Sequence, residues 1–456
     1  MLATAVQLHE LSSGEAPDAR ASVARPTRRR ARIFALVLST LVVAGAFRSA
    51  PPVEAAAGLP SAATLGESLR LPVAYLATSP ASELLDALTL LTPGQHGAIF
   101  VWILGIFIVW RVVRWRRFSL GREAAAFVVF LVAYAGVYAV GLLAPRPMAA
   151  IAVSDGDALA VDVHSHTSAS HDGRRGFDAE DNRRWHAAAG FAAAYVTDHV
   201  DFTGVEAGMS RNPARAGQGT VLLPGIESAL PGAHVMVLGA RRETGIDRQG
   251  TLDLARLRAS PGLVVVLAFP ARLASVPSRI VLNAVEGSDG APRGLRFTRM
   301  HVVQIRAFAA AHGLARVAGS NNHGWGRTAA AWTVLRIPGW RGMSAVTLDS
   351  AIRATIRRGA GVRVVLRAAV APPASNAAWI ATPLLVAWEI LRRLSPAERL
   401  VWLAWIWVPL ALPALRRRRE APNASASAAP APPSPARGRS ARPRRTSAPR
   451  DRCAAP

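Results

Sequence analysis

Lysine is missing from this 456-residue sequence: all 54 basic residues are arginine, and the only cysteine is Cys453. Without lysine, the net charge of +25 reflects the arginine codons of a GC-rich genome as much as any selected basic face. Much of the excess also sits in the two tails and beside apolar runs, where arginine orients a chain across a membrane. The balance therefore argues against nucleic acid as a partner. One cysteine, in a low-complexity tail, excludes a disulfide framework and a cysteine metal site, and it says nothing of the compartment. Charge is scarce at 18% of residues while 51% are hydrophobic. That balance points to membrane segments in a chain long enough for more than one domain.

The apolar runs are easily found. Residues 1–32 form a polar, basic tail ending in Arg28-Arg29-Arg30-Ala31-Arg32, and residues 33–47 are uncharged and apolar. The length of the basic stretch before them favours a retained helix over a signal-peptide core. Two further runs, 88–110 and 124–144, match the roughly 20 residues that cross a bilayer, which makes 33–149 a membrane region. Beyond residue 370, the runs 377–388 and 400–415 are again apolar and Trp-rich. From Arg416 to Pro456 an Arg/Pro/Ala-rich tail lacks the apolar surface to order itself. The loop Arg111–Arg122 carries five arginines, which places it in the cytoplasm and the residues after 145 on the opposite face of a bacterial inner membrane. If both C-terminal runs cross, Arg416–Arg419 falls outside against this rule, unless one run lies in the interface. No charge interrupts the apolar cores, which speaks against a transport path.

Between 150 and 370 the texture changes. Short apolar runs such as Ala158–Val163, Ala192–Thr197, Leu263–Phe269 and Ile280–Val285 alternate with helical patterns at 179–189, 252–258, 298–312 and 348–358. Strands alternating with helices predict an α/β domain with a mainly parallel sheet, either open or closed into a barrel.

The first strand runs into Asp162-Val163-His164-Ser165-His166-Thr167. Alternate side chains of a strand share a face, so His164 and His166 point together, and a pair of neutral imidazoles suits a divalent transition metal. Asp162 on that face, and Asp198 after the next strand, are carboxylates able to fix a histidine tautomer. More polar residues end apolar strands: Asp198-His199, Glu227 and Gly319-Ser320-Asn321-Asn322-His323, while His234 opens its own strand. Ligands gathered at one end of successive strands are how barrel enzymes assemble a site. Arg211, Arg215 and Arg241, on loops after these strands, are candidates to hold a phosphate bidentately. Trp325, beside His323, is either a pocket wall or packing.

This ordered set resembles the polymerase and histidinol phosphatase (PHP) superfamily over residues 158–368. The motifs are Asp162-x-His164-x-His166 with Ser170-His171-Asp172-Gly173, then Val196-Thr197-Asp198-His199, Pro224-Gly225-Ile226-Glu227, His234 and Gly319-Ser320-x-x-His323. The resemblance implies a distorted (β/α)7 TIM-like barrel, here flanked by transmembrane helices, whose Zn, Mn or Fe ions hydrolyse phosphate esters. It implies that His164 and His166 share one metal with a bridging Glu227, and that Glu227 and His234 face a second. A third would take His199, His323 and either His171 or Asp172, with His171 the preferred choice. The active residues implied are His164, His166, His199 and Glu227. Two positions depart from the pattern. Phe269 stands before Pro270 where the family carries His-Pro, and Asn321 replaces an aspartate, so one or two ions are expected. The leading expectation is a membrane-anchored hydrolase acting on a phosphorylated small molecule. The alternative is a catalytically degenerate domain that senses a metal or ligand. Nucleic-acid processing, known beside such domains in polymerases, fits poorly with the apolar spans.

Overall fold

A computed structural model describes residues 19–55, 66–114, 119–199, 201–230, 233–244, 260, 262–268, 280–367 and 376–426. Residues 1–406 form one compact unit and 407–456 a second, and each is described by itself. Phe269, Pro270, the helical pattern at 252–258 and the tail beyond Ala426 lie outside the described residues.

The first helix, α1, spans Ala19–Phe47 and so begins within the stretch read as a polar tail. Val73–Ala77 (α2) and Ser79–Thr89 (α3) precede α4, Pro93–Val113. The run expected at 88–110 is therefore divided. Pro93 cannot continue a helix from Leu90 but suits the first helical turn, and Thr92 caps α4 in a reciprocal box with Gln95. Helix α5 covers Leu120–Leu143. Arg29–Phe47, Pro93–Val113 and Leu120–Leu143 are long and apolar enough to cross a membrane, at 19, 21 and 24 residues. The later apolar runs form Asn376–Arg393 and Pro396–Ala426. The last helix, which enters the second unit, carries on through Arg416–Arg419 where the sequence suggested that order ends; arginine, alanine and glutamate are good helix formers and extend a helix already begun.

Ten strands form one sheet: β1 (Val53–Ala55), β4 (Ala158–Ser165), β5 (Ala193–Val196), β6 (Val221–Leu230), β7 (Ala233–Leu238), β8 (Val264–Ala268), β9 (Ala284–Asp289), β10 (Ala315–Gly319), β11 (Ala331–Arg336) and β12 (Val362–Arg367). Their spatial order is β1-β12-β11-β4-β5-β6-β7-β8-β9-β10, while β2 (Glu67–Arg70) and β3 (Ala150–Val153) pair separately. The sheet curls almost closed. Past β10, the Asn321 amide donates to the His164 carbonyl (2.7 Å), and the His166 amide donates to that of Asn322 (2.9 Å). The fold is α/β and barrel-like, as expected, but its units are not a uniform β/α repeat. Strand β7 runs antiparallel to both β6 and β8, and β11 runs antiparallel to β4 and β12. Only two residues separate the end of β6 at Leu230 from the start of β7 at Ala233, too few for the crossover that parallel strands require.

Alternation along the strands sorts the core. Leu159, Val161, Tyr195, Leu223, Met236, Val266 and Val317 fill the interior with Leu348, Ile352 and Ile356 of helix Ala345–Arg358. Ala194, Leu222, Val235, Val265 and Val285 face outward to Val205 and Ile305 of helices Thr203–Met209 and Val302–Ala311.

Helix α3 and the residues after α5 meet the barrel through buried charge. Asp86 of α3 pairs with Arg146, and its other oxygen lies 2.7 Å from Arg367 of β12. Arg146 donates to Thr328 (2.8 Å), and the Thr328 hydroxyl donates to Asp86 (2.7 Å). Asp86→Ala leaves the buried Arg146 without its carboxylate partner and Arg367 with Glu83 alone, at 3.5 Å. It is expected to cost about 3–5 kcal/mol, read as a large fall in the unfolding midpoint of the detergent-solubilised protein.

Candidate functional site

Every ligand-type residue singled out in the sequence lies at one rim of the sheet, because β4, β5, β6, β9 and β10 end there and β7 begins there. Glu227 sits on β6, which continues to Leu230 before turning into β7, and His234 enters β7 opposite Ala229.

One carboxylate gathers the cluster. Glu227 Oε2 lies 2.9 Å from His164 Nε2, 3.2 Å from His166 Nε2 and 3.4 Å from His199 Nε2. Its other oxygen is 2.7 Å from His234 Nδ1. The two Nε2 atoms of His164 and His166 face each other at 3.1 Å. A second carboxylate, Asp172, lies 3.0 Å from His323 Nε2 and 3.6 Å from His199 Nε2. Ser170 donates to the far oxygen of Asp172 at 2.7 Å and so holds it in this position. Asp172 thus makes the contacts assigned above by preference to His171. The exposed His171 joins only Asp172 and His199, its ring 4.9 Å from that of His199.

The tautomers limit what can occupy the centre. His323 Nδ1 faces the Asn321 carbonyl at 2.8 Å, an acceptor, so it carries the hydrogen. Its Nε2 then turns toward the Asp172 carboxylate, and only a proton or a cation reconciles the two. The same holds where His164 and His166 converge on Glu227, and His166 Nδ1 is buried without a hydrogen-bond partner. Ligand atoms lie within 4.8 Å of one another in the groups His164–His166–Glu227, His166–Asp172–His323, His171–Asp172–His199 and His199–Glu227–His234. Imidazole and carboxylate in this arrangement fit a divalent transition metal.

Electrostatics follow from the same contacts. Burial disfavours the His164 imidazolium, but Glu227 and Glu286 outweigh it and hold the pKa well above the ordinary value. Burial likewise opposes ionisation of Glu227, and His164, His166 and His234 reverse that, keeping its pKa well below the usual range. Burial pushes His166 down to about 4, leaving a neutral imidazole. His234 is raised mainly by its hydrogen bond to Glu227. His323 is raised by Asp172 despite burial.

Other positions behave differently from the sequence reading. Asp162 is buried, but the histidine it holds is His186 of helix Ala179–Ala189, at 2.7 Å from Nε2; its other oxygen accepts from the His164 and Ser320 amides. The register shift in β4 between Asp162 and Ser165 breaks the alternation that was to put Asp162 beside the histidine pair. Asp198 accepts from the Thr167 amide and hydroxyl (2.6 and 2.7 Å), fixing the turn after β4, and is 4.0 Å from His166 Nδ1. Burial lifts its pKa to about 6. Arg211 and Arg215 precede β6 and Arg241 follows β7, so all three belong to the opposite end of these strands. Trp325 is half exposed with the Arg174 guanidinium 6.0 Å from its ring, and the Arg174 amide donates to the His323 carbonyl.

Two site residues escaped the sequence reading. Glu286 and Asp289 of β9 are fully buried, and with His164 they form a fifth group of ligand atoms within 4.8 Å. The signal was present: Ile280–Val285 is an apolar run ended by Glu286, as in the other ligand strands. Gly319 lets β10 approach them, since a Cβ there would collide with His164 and Glu286.

Metal must displace the proton that Glu227 and Glu286 hold on His164, whereas His166 is already neutral. Apparent zinc affinity should therefore rise with pH, by up to about tenfold per unit until the raised His164 pKa is passed. Calorimetry at several pH values, with the proton release read from buffers of different ionisation enthalpy, checks this.

No family model and no curated protein matches the chain. Among solved structures it is similar to PsfC from Pseudomonas syringae PB-5123, with 20% identity over 52% of this chain and 98% of that one and a TM-score of 0.35. A two-domain protein from Bacteroides vulgatus containing a predicted PHP-like metal-dependent phosphoesterase shares 13% identity over 45% of this chain and 64% of its own, with a TM-score of 0.31. The lesion-specific endonuclease PfuEndoQ from Pyrococcus furiosus shares 10% identity over 45% and 57%, with a TM-score of 0.32. Likenesses this slight establish neither family nor activity.

Proposed function

We propose that this chain is a membrane-anchored, metal-dependent hydrolase of phosphate esters, with the PHP-like domain on the non-cytoplasmic side. The observation that carries the reading is the sharing of one buried carboxylate, Glu227, among His164, His166, His199 and His234. Each contact leaves an imidazole nitrogen directed at a carboxylate that is itself almost wholly buried, an arrangement that needs positive charge to be stable. His164, His166 and Glu227 would hold one ion, and His199, His323 and Asp172 would contribute to another. Divalent cations bound there would polarise a phosphoryl oxygen and lower the pKa of water.

The protein's own groups supply the rest. Glu227 keeps the imidazoles in register and neutralises part of the bound charge. His199 is only partly buried and touches both carboxylates, which suits it to carry a proton to or from the reacting group. Arg174, whose amide is bonded beside His323, is better placed to meet a phosphate than Arg211, Arg215 or Arg241. The Arg111, Arg114 and Arg122 side of the helices α4 and α5 supports a cytoplasmic loop, and hence the opposite face for the domain.

A sensor that binds metal without turnover is the second reading, and the neutral Asn321 favours it. The two readings separate on one preparation. The detergent-purified chain loaded with manganese or zinc should hydrolyse a generic aryl phosphate and lose that activity to a chelator. His166→Ala should lower the rate by at least about a hundredfold, since partners outside the coordination shell already cost about 10–100-fold. Stoichiometric metal without turnover selects the sensor; substoichiometric metal without turnover rejects both. For topology, a reporter active only in the cytoplasm and fused after residue 370 should stay silent, and activity there reverses the orientation.

A further inference from the structure

The neutral Asn321 stands where the motif resembled above carries an aspartate, so the ion position beside His164 lacks one negative charge. Two buried carboxylates lie directly behind the residues that frame that position. Glu286 Oε1 is 3.1 Å from His164 Nδ1, and Asp289 Oδ2 accepts from Asn321 Nδ2 at 3.2 Å. Asp289 Oδ1 accepts from the Ala291 amide at 2.8 Å, which fixes the carboxylate at the start of helix Pro292–Met300. Gly294 of that helix comes so close that a Cβ would overlap the Asp289 carboxylate. Both acids are completely buried.

We propose that Glu286 and Asp289 are positioning residues that supply, one bond removed, the negative charge Asn321 does not bring. This rests on the metal-binding reading of the rim. The geometry assigns each a definite task. A carboxylate only accepts, so His164 keeps a hydrogen on Nδ1, and it is Nε2, facing His166 and Glu227, that gives up its proton to offer a lone pair to a metal. One imidazole engaged in this way cannot also make the His164–Glu286–Asp289 group a separate metal site. The second task concerns the Asn321 amide. Because Asp289 takes its NH2 group, the carbonyl oxygen is turned the other way, and that Oδ1 is buried with no hydrogen-bond partner. The residue is held in this pose with φ of 44°, a left-handed conformation that asparagine tolerates better than most residues. The amide acts as a neutral oxygen ligand whose dipole is reinforced by the carboxylate behind it, as a carboxylate reinforces a metal-bound histidine.

The test compares zinc binding by calorimetry for the detergent-purified full chain and three variants, each first stripped with chelator. Glu286→Gln and Asp289→Asn should each weaken binding by about tenfold or more, with the melting temperature of the metal-free protein little changed. The exchange Asp289→Asn with Asn321→Asp moves the charge across the same hydrogen bond, and should regain most of the affinity that Asp289→Asn loses. Residues with a merely structural role show no such recovery. If Glu286→Gln does not fold, the Asp289/Asn321 exchange decides alone. Wild-type protein that takes up zinc while the variants bind equally well, or an exchange that restores nothing, overturns this inference and leaves the metal reading intact. Wild-type protein that takes up no metal overturns both.

Discussion

A carboxylate buried among four histidines cannot be a passive packing element. Glu227 is almost wholly buried, and the groups within reach of its oxygens are His164, His166, His199 and His234. Its charge must be balanced locally, by a proton on an imidazole or by a bound cation, because burying an unpaired carboxylate is far too costly. The rest of the rim serves that balance. Strand β6 overshoots its parallel neighbour so that Glu227 and the returning β7 stand together, and the chain after β10 bends back to bond β4 beside the histidine pair.

The same rim is joined to the apolar helices. At the end of α5 the Leu142 carbonyl accepts from the Gly326 amide at 2.9 Å, three residues past His323. Arg146, just after that helix, binds Thr328 and the Asp86 carboxylate. The loop that carries Asn321, His323 and Trp325 is thus braced from the cluster on one side and from the helices on the other. An ordered charge network buried between them explains why this loop needs no regular secondary structure to hold its ligands in place.

How much of this was legible in the sequence depended on how local the physics was. The His164-x-His166 pair was readable because strand alternation is a short-range rule. The same rule misplaced Asp162, since a register shift two residues on is a tertiary event that alternation does not foresee. Strand-then-ligand reading placed His199, Glu227 and His323 at one rim, yet it passed over Glu286, which obeys the same pattern without belonging to a motif. His186 gave no signal, because a histidine within an amphipathic helix looks like any other polar position. The arginines were assigned by loop rather than by strand end, and that is a question of direction which the β6–β7 hairpin decided. A mainly parallel sheet was expected because alternating strands and helices suggest it, but the two residues between Leu230 and Ala233 left no room for a crossover. The division of one apolar run into α3 and α4 was present in the sequence as Thr92-Pro93.

The claim on which everything turns is that Glu227 and the facing histidines hold a metal ion. Anomalous diffraction from crystals of the full chain grown with zinc, recorded on both sides of its absorption edge, tests it most directly. The account predicts a peak among His164 Nε2, His166 Nε2 and the Glu227 carboxylate. Crystals that show no peak there, or zinc only elsewhere on the protein, contradict it.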